Sequence, residues 1–461
     1  MRNSAEIRKF STISLVWLSI TFLAVWAVCW LVGIALPLFL LPALGITDPI
    51  WGEVCKAITP IVAILVFIPI NATFMVLFER RGLALFTVRS GPNRVGPDGF
   101  LQTAADALKL LLKEDITPRG ADIVLHTLAP ITFFAPSIFA ALPLLAAVTD
   151  NHPIFRIVNL PTGIFYVLAA SSIPVVGIVM GGWASNNKYS LVGGLRSAAQ
   201  AISYEIPLVL SIIAMCMMAK TLDVVQIVQQ QAGGFWNWNL FGGGALRGLD
   251  RFLFYNNSDN VRALQIFDFA YGHGIWSLVG VVLLIICTII MALLYLTGAC
   301  AEINRIPFDL PEAESELVSG YNTEYSGMKF AIFFLAEFTN LFIVSSIFVV
   351  MFLGGGDCPL PFERMLPFSP AFMGPLYPLL VEKLQLVDPA TLFAALWIII
   401  KTYLLVFFAI LIRGTLPRFR IDQLMDFGWK RLIPLALITF MVMVFAREMV
   451  HVQMVFPGGT P

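Results

Sequence analysis

Residues 276–299 read WSLVGVVLLIICTIIMALLYLTGA, and residues 301–318, one position on, read AEINRIPFDLPEAESELV. The first stretch carries no charge, and at about 1.5 Å per residue it is long enough, as a helix, to cross a hydrocarbon layer of about 30 Å. The second places five carboxylates, Glu302, Asp309, Glu312, Glu314 and Glu316, within fifteen residues. A carboxylate alone in hydrocarbon is costly and tends to take up a proton instead. Acids gathered at a membrane edge therefore point to water, proton handling, or both.

The rest of the chain follows the first stretch. Hydrophobic residues make up 58% and charged residues 13% of the 461 residues, and the mean hydropathy is +0.84. A soluble domain has about a quarter charged residues, so the expectation is an all-α polytopic membrane protein. The zero formal net charge offers no basis for nucleic-acid binding. Six cysteines, Cys29, Cys55, Cys216, Cys287, Cys300 and Cys358, form no CxxC pair, and the four histidines show no ligand spacing. No zinc, haem or iron–sulfur site is legible, and the metal expectation is none.

Nine segments are long enough to span: 12–41, 57–78, 122–148, 160–182, 203–219, 276–299, 328–353, 390–412 and 431–447. The first is too long for a cleaved signal peptide and lacks a small-residue cleavage site. Pro69, Pro130, Pro136, Pro143, Pro174 and Pro207 fall inside these segments and predict kinks. About two thirds of the Lys and Arg residues lie in the first residues and the loops 79–121, 183–202, 300–329 and 413–431. By the positive-inside rule that side is cytoplasmic, with the N-terminus inside and the C-terminus on the periplasmic side. The outside loops at 220–275 and 354–389 are long and rich in Gly and aromatics, and Trp236 and Trp238 are expected at headgroup level.

The loop after the second span holds Glu79-Arg80-Arg81-Gly82 and then Arg89-Ser90-Gly91-Pro92-Asn93-Arg94-Val95-Gly96-Pro97. A turn-rich, ordered loop with arginines nearby can hold an anion or a polar ring; a positive-inside anchor is the simpler alternative. From about Gly99 to Glu114, Gln102, Asp106, Lys109 and Lys113 form one narrow polar stripe on an apolar cylinder. That describes a cytoplasmic-side interfacial helix or one wall of a polar cavity.

Glu205 opens an apolar run, and Glu337 lies about ten residues inside the segment 328–353. Intramembrane acids are functional candidates by default, beside the alternative of hydrogen-bonded structural acids, and Lys401 is a candidate partner for Glu337. Asp309 and Glu312 fit an N-cap and capping-box pair, so the helix dipole accounts for part of the acid density. Glu302, Glu314 and Glu316 are not explained this way. Like charges a turn apart couple their protonation, as a chain of proton-exchanging sites requires.

At this point the chain resembles a known family. Glu79-Arg80, Gly91 to Pro97, Ala105-Asp106 with Lys109, Gly182-Trp183-Ala184-Ser185-Asn186 and Tyr204-Glu205 are similar to motifs of the quinone-chamber membrane subunit of respiratory complex I, the bacterial NADH:quinone oxidoreductase. So are Ala301 to Arg305, Pro307 to Leu310, Glu312 to Glu316, Tyr325 to Phe330, Ala336-Glu337, and Arg413-Gly414-Thr415 with Pro417-Arg418. The resemblance runs over about residues 55–450. It divides the chain into an N-terminal extension (1–55) with an extra span, a family-like domain (56–450) with an eight-helix core, and a tail (451–461).

The resemblance implies a subunit that is not catalytic alone and binds no cofactor, with NADH, FMN and iron–sulfur clusters held by partner subunits. It implies quinone as substrate, entering from the lipid, and as partners the peripheral-arm quinone-site subunits, an iron–sulfur subunit and antiporter-like membrane subunits, in the bacterial inner membrane. On matching positions, Glu79, Arg80, Arg94, Asp106 and Arg305 would line the quinone path or chamber. Glu205, Glu302, Asp309, Glu312, Glu314, Glu316 and Glu337 would form the acidic link to proton pumping. The extra span, the long outside loops and the run Gly82 to Val88 depart from the family pattern, so the quinone type stays open. The alternatives are the equivalent subunit of a membrane-bound hydrogenase or related dehydrogenase, and a stand-alone ion or proton transporter. The latter is expected to show inverted repeats, and no repeat of the acidic motif is visible.

Overall fold

Every regular element among the described residues is helical. The computed structural model describes residues 49–96, 99–148, 160–232, 234–242, 275–311, 318–359 and 389–455. The elements are α1 (Pro49–Phe86), α2 (Gln102–Leu112), α3 (Ile123–Val148), α4 (Gly163–Ser172), α5 (Pro174–Ala184), α6 (Lys188–Ala219), α7 (Val224–Gln230), α8 (Ile275–Glu302), α9 (Gly327–Phe352), α10 (Pro389–Thr415), α11 (Ile421–Phe427) and α12 (Ile433–Val455). In a membrane only helices and closed barrels satisfy their own backbone, and this chain uses helices.

Among the described residues eight helical stretches are long and apolar enough to span, corresponding to eight of the nine expected segments. The expected span at 12–41 lies outside the described residues, as do much of the long outside loops and the tail beyond residue 455. One span joins α4 to α5 through Ile173, with Pro174 at the first position of α5, where a missing N–H is harmless. Another joins α11 to α12 through a π-helical turn, Gly428–Leu432. Helix α3 continues through Pro130, Pro136 and Pro143, and α6 continues through Pro207.

The expected span at 203–219 needs correcting, because α6 begins fifteen residues earlier, where the Asn187 side chain accepts from the Tyr189 N–H. Gly193-Gly194 looks like loop chemistry but serves close packing. A Cβ at Gly193 would meet the Gly320 backbone at 2.8 Å, and one at Gly194 would sit 3.2 Å from the Ile178 carbonyl. Glu205 consequently lies in the interior of a long helix. Small residues recur at crossings, as they do where helices associate without a hydrophobic driving force: Gly177 of α5 faces the Phe133 backbone of α3, and Gly298 of α8 faces Tyr204 and Leu208 of α6. Two buried tyrosines pin further pairs, Tyr204 donating to the Leu424 carbonyl at 2.9 Å and Tyr295 to the Val344 carbonyl at 2.8 Å.

Polar loops gather at one end of the bundle. Lys329 pairs with Asp115, Asn187 donates to Glu324, Ile116 N–H donates to Ser326, and Phe419 N–H donates to the Pro307 carbonyl. These contacts lie among residues 113–122, 185–187, 303–311, 318–326 and 416–420, which carry both signs of charge and make one polar end. At the other end Gln231, after α7, donates to the Val350 carbonyl and accepts from Asn239 and Gly354.

Lys401 belongs to that second end and is not the partner of Glu337. Its ammonium donates to the carbonyls of Leu353 (2.7 Å), Gly355 (2.9 Å) and Asp357 (2.7 Å) and lies 4.3 Å from the Trp238 ring centre. The reason is local: the carbonyls of Leu353, the C-cap of α9, and of the turn that follows have no helical donors, and a helix C-terminus favours a cation. Trp238 accordingly packs on Lys401 and Gly354.

Candidate functional site

Successive residues of a helix point about 100° apart, so Glu79, Arg80 and Arg81 leave α1 in three directions. Glu79 turns inward and is buried. Arg305 Nη1 reaches both of its carboxylate oxygens, at 3.1 and 3.0 Å, and Arg413 from the last turn of α10 pairs with the same carboxylate. Arg80 turns to the exposed side and holds Asp106 of α2 at 2.6 Å. Arg81 donates to the Pro92 carbonyl at 3.1 Å, with Gly91 packed against its side chain, and so fixes the following loop to α1. Arg94 stands exposed on that loop.

Arg305 follows the end of α8 closely, and its position depends on how the chain turns there. Asn304 takes a left-handed backbone (φ 54°), which Asn tolerates better than most residues. Gln200 of α6, buried, donates to the carbonyls of Ala301 at 2.7 Å and Phe308 at 2.8 Å and to Asn304 Oδ1 at 3.1 Å. The guanidinium then lies 4.4 Å from the Phe338 ring centre of α9, a cation–π contact in a nearly water-free place.

The acids fall into separate groups. Glu205 of α6 and Glu302 at the end of α8 lie within electrostatic range of each other. Asp309 accepts from Arg418 at 3.0 Å. Glu312, Glu314 and Glu316 lie outside the described residues, and with Glu312 so does the capping pair expected with Asp309. Glu337 is buried on α9 and accepts from the Tyr321 hydroxyl at 2.8 Å. Among the described residues no group of three or more His, Cys, Asp or Glu is placed to hold a metal ion.

Glu79 and Arg305, 226 residues apart, are thus brought together, as are Arg80 with Asp106 and Glu205 with Glu302. Sequence reasoning missed Arg413, Gln200, Tyr321 and Arg418 as parts of the site. Arg413 and Arg418 stood in a family-like motif and carried charge into an apolar context, which was a usable signal. Gln200 and Tyr321 offered none.

The profile of the family described as NADH dehydrogenase matches residues 59–444. The chain is 38% identical over 394 residues to the H subunit of the NADH-quinone oxidoreductase of Brevibacillus brevis, covering 86% of this chain and 94% of that protein. It is 37% identical over 396 residues to the second H subunit of the NADH-quinone oxidoreductase of Koribacter versatilis, covering 83% and 94%. With eight spans among the described residues and a charged site at one end of the bundle, the chain belongs to the NADH dehydrogenase family, as a membrane subunit of the complex I type.

Proposed function

We propose that this chain forms the quinone access path and chamber of a proton-pumping NADH:quinone oxidoreductase, and the acidic link that couples quinone reduction to proton translocation. The observation that carries the reading is the buried Glu79 carboxylate held between Arg305 and Arg413, beside the exposed Arg80–Asp106 pair of α1 and α2. The outer pair marks a polar rim between two helices that a headgroup passes, and the inner cluster fixes charge where a headgroup would stop. Arg94 belongs to the same rim. The polar end faces the cytoplasm, where the peripheral-arm subunits supply electrons from their own FMN and iron–sulfur clusters.

Reduction of the quinone takes two electrons and two protons, and that demand changes the charge at the chamber. Two charges about 4 Å apart at an effective dielectric of about 20 interact by about 4 kcal/mol, equivalent to about three units of a neighbour's pKa. Glu302, Glu205, Asp309, Glu312, Glu314, Glu316 and Glu337 can therefore pass on a protonation change without large movement, toward antiporter-like partner subunits. Glu316→Gln in the intact complex tests the coupling role. The expected outcome is normal assembly with slowed proton-coupled quinone reduction; defective assembly with full activity in the assembled remainder would make the acid structural.

A further inference from the structure

His126 lies in the first turn of α3, is fully buried, and among the described residues neither of its ring nitrogens meets a protein donor or acceptor. Its ring lies flat on Tyr325, centroids 4.1 Å apart and planes 6° apart. A phenylalanine would stack there equally well. An imidazole instead carries two polar atoms into a place where polar atoms need partners. Neutral imidazole has one donor and one acceptor nitrogen, and water is the ligand that can serve both.

The surroundings suit proton exchange. The charged groups within electrostatic reach are Lys329 at the start of α9, Asp115 in the segment before α3, and Glu324 in the loop before α9. Asp122, on the turn that opens α3, caps its own helix, and Tyr325, whose phenol burial holds neutral, lies over the ring. Lys329 and Asp115 pair at 3.0 Å with Asp115 half exposed, so this group of charges adjoins solvent at the polar end. Inward, Lys329, Phe333 and Glu337 recur every four residues on one face of α9. Phe333 touches Tyr325, Tyr321 and Phe133, and Tyr321 donates to Glu337. Deeper on the same helix pair, Ser137 of α3 donates to Asn340 of α9 at 2.5 Å.

We propose that His126 is a hydrated proton-exchange site, the outer group of a second acid–base route that runs along the α3–α9 seam toward Glu337. It rests on the reading of this chain as a proton-translocating subunit. A hydronium on the Asp115 and Glu324 side gives its proton to one ring nitrogen, leaving water and an imidazolium. The N–H of the other nitrogen then passes to an inner water, and that proton reaches the Glu337 carboxylate. One proton has moved, and the imidazole is left as its other tautomer, reset when water carries a proton from the outer nitrogen to the inner one. Histidine suits this because its unperturbed charge change falls near neutral pH.

The test uses the whole complex in phosphatidylcholine liposomes, with NADH and a short-chain quinone, from about pH 5.5 to about pH 8.5. Quinone reduction and proton translocation are followed for the unaltered complex, His126→Phe and Asp115→Asn. The expected result is that His126→Phe keeps the aromatic stack but translocates protons roughly a hundredfold more slowly at the alkaline end, the low side of what acid–base groups contribute. The deficit closes at acid pH, where protons are plentiful. Asp115→Asn, which leaves the buried pocket intact, displaces the midpoint of the profile and decides the question if His126→Phe fails to assemble. Profiles of the variants that superimpose on the unaltered one overturn the role of His126. Failure of the unaltered complex to reduce quinone or move protons overturns the underlying functional reading instead.

Discussion

Replacing Glu79 by glutamine removes one negative charge and leaves a near-isosteric amide. The Glu79 and Arg305 side chains are 8% and 12% exposed, so water screens their attraction poorly. Breaking a buried ion pair by removing one partner costs about 3–5 kcal/mol, most of it the penalty of an uncompensated charge. The new amide keeps one acceptor oxygen for Arg305, which places the expected loss near the lower bound, about 3 kcal/mol. Two features hold it there. Arg305 Nε and Nη2 have no other partner among the described residues, and Arg413 lies close enough to Arg418 for the two cations to repel. The Arg80–Asp106 pair is the internal control: its side chains are 45% and 31% exposed, and an exposed pair contributes about 0–1 kcal/mol. The assay is unfolding of the purified complex in mixed micelles of rising denaturing-detergent fraction, as a double-mutant cycle of Glu79→Gln with Arg305→Gln beside Arg80→Ala with Asp106→Asn. A Glu79–Arg305 coupling no larger than that of the exposed pair, under about 1 kcal/mol, would refute the argument that burial sets the strength of this cluster.

Two further outcomes are expected. Gly177→Ala puts a Cβ 2.7 Å from the Phe133 backbone N, forcing α3 and α5 apart at a cost of about 1–3 kcal/mol; unchanged detergent resistance would show that the crossing has slack. Lys401→Met leaves the carbonyls of Leu353, Gly355 and Asp357 without their ammonium donor, each unsatisfied buried group costing about 1–3 kcal/mol. Amide exchange at Leu353 and Gly355, both bonded to the Val349 carbonyl, should accelerate, whereas unaltered exchange would place the anchoring elsewhere.

By itself the sequence determined that this chain spans a membrane and, for eight segments, roughly where it does so. The run 276–299 and seven others are apolar over a length set by the bilayer, and that signal is local. It also marked the charged positions, because Glu79, Arg305 and Glu337 are conspicuous wherever water is scarce. Partnership is another matter. Two mid-span charges, Glu337 and Lys401, looked like a pair, yet one takes the Tyr321 hydroxyl and the other caps the end of α9. The glycines at 193 and 194 looked like a loop and turned out to be a helix crossing, since the same missing Cβ that frees a backbone to turn also lets two backbones touch. Pairing across 226 residues, as between Glu79 and Arg305, depends on how the described helices pack and on how Gln200 holds the turn after α8. Those are properties of interlocking surfaces, which no local window of the chain contains.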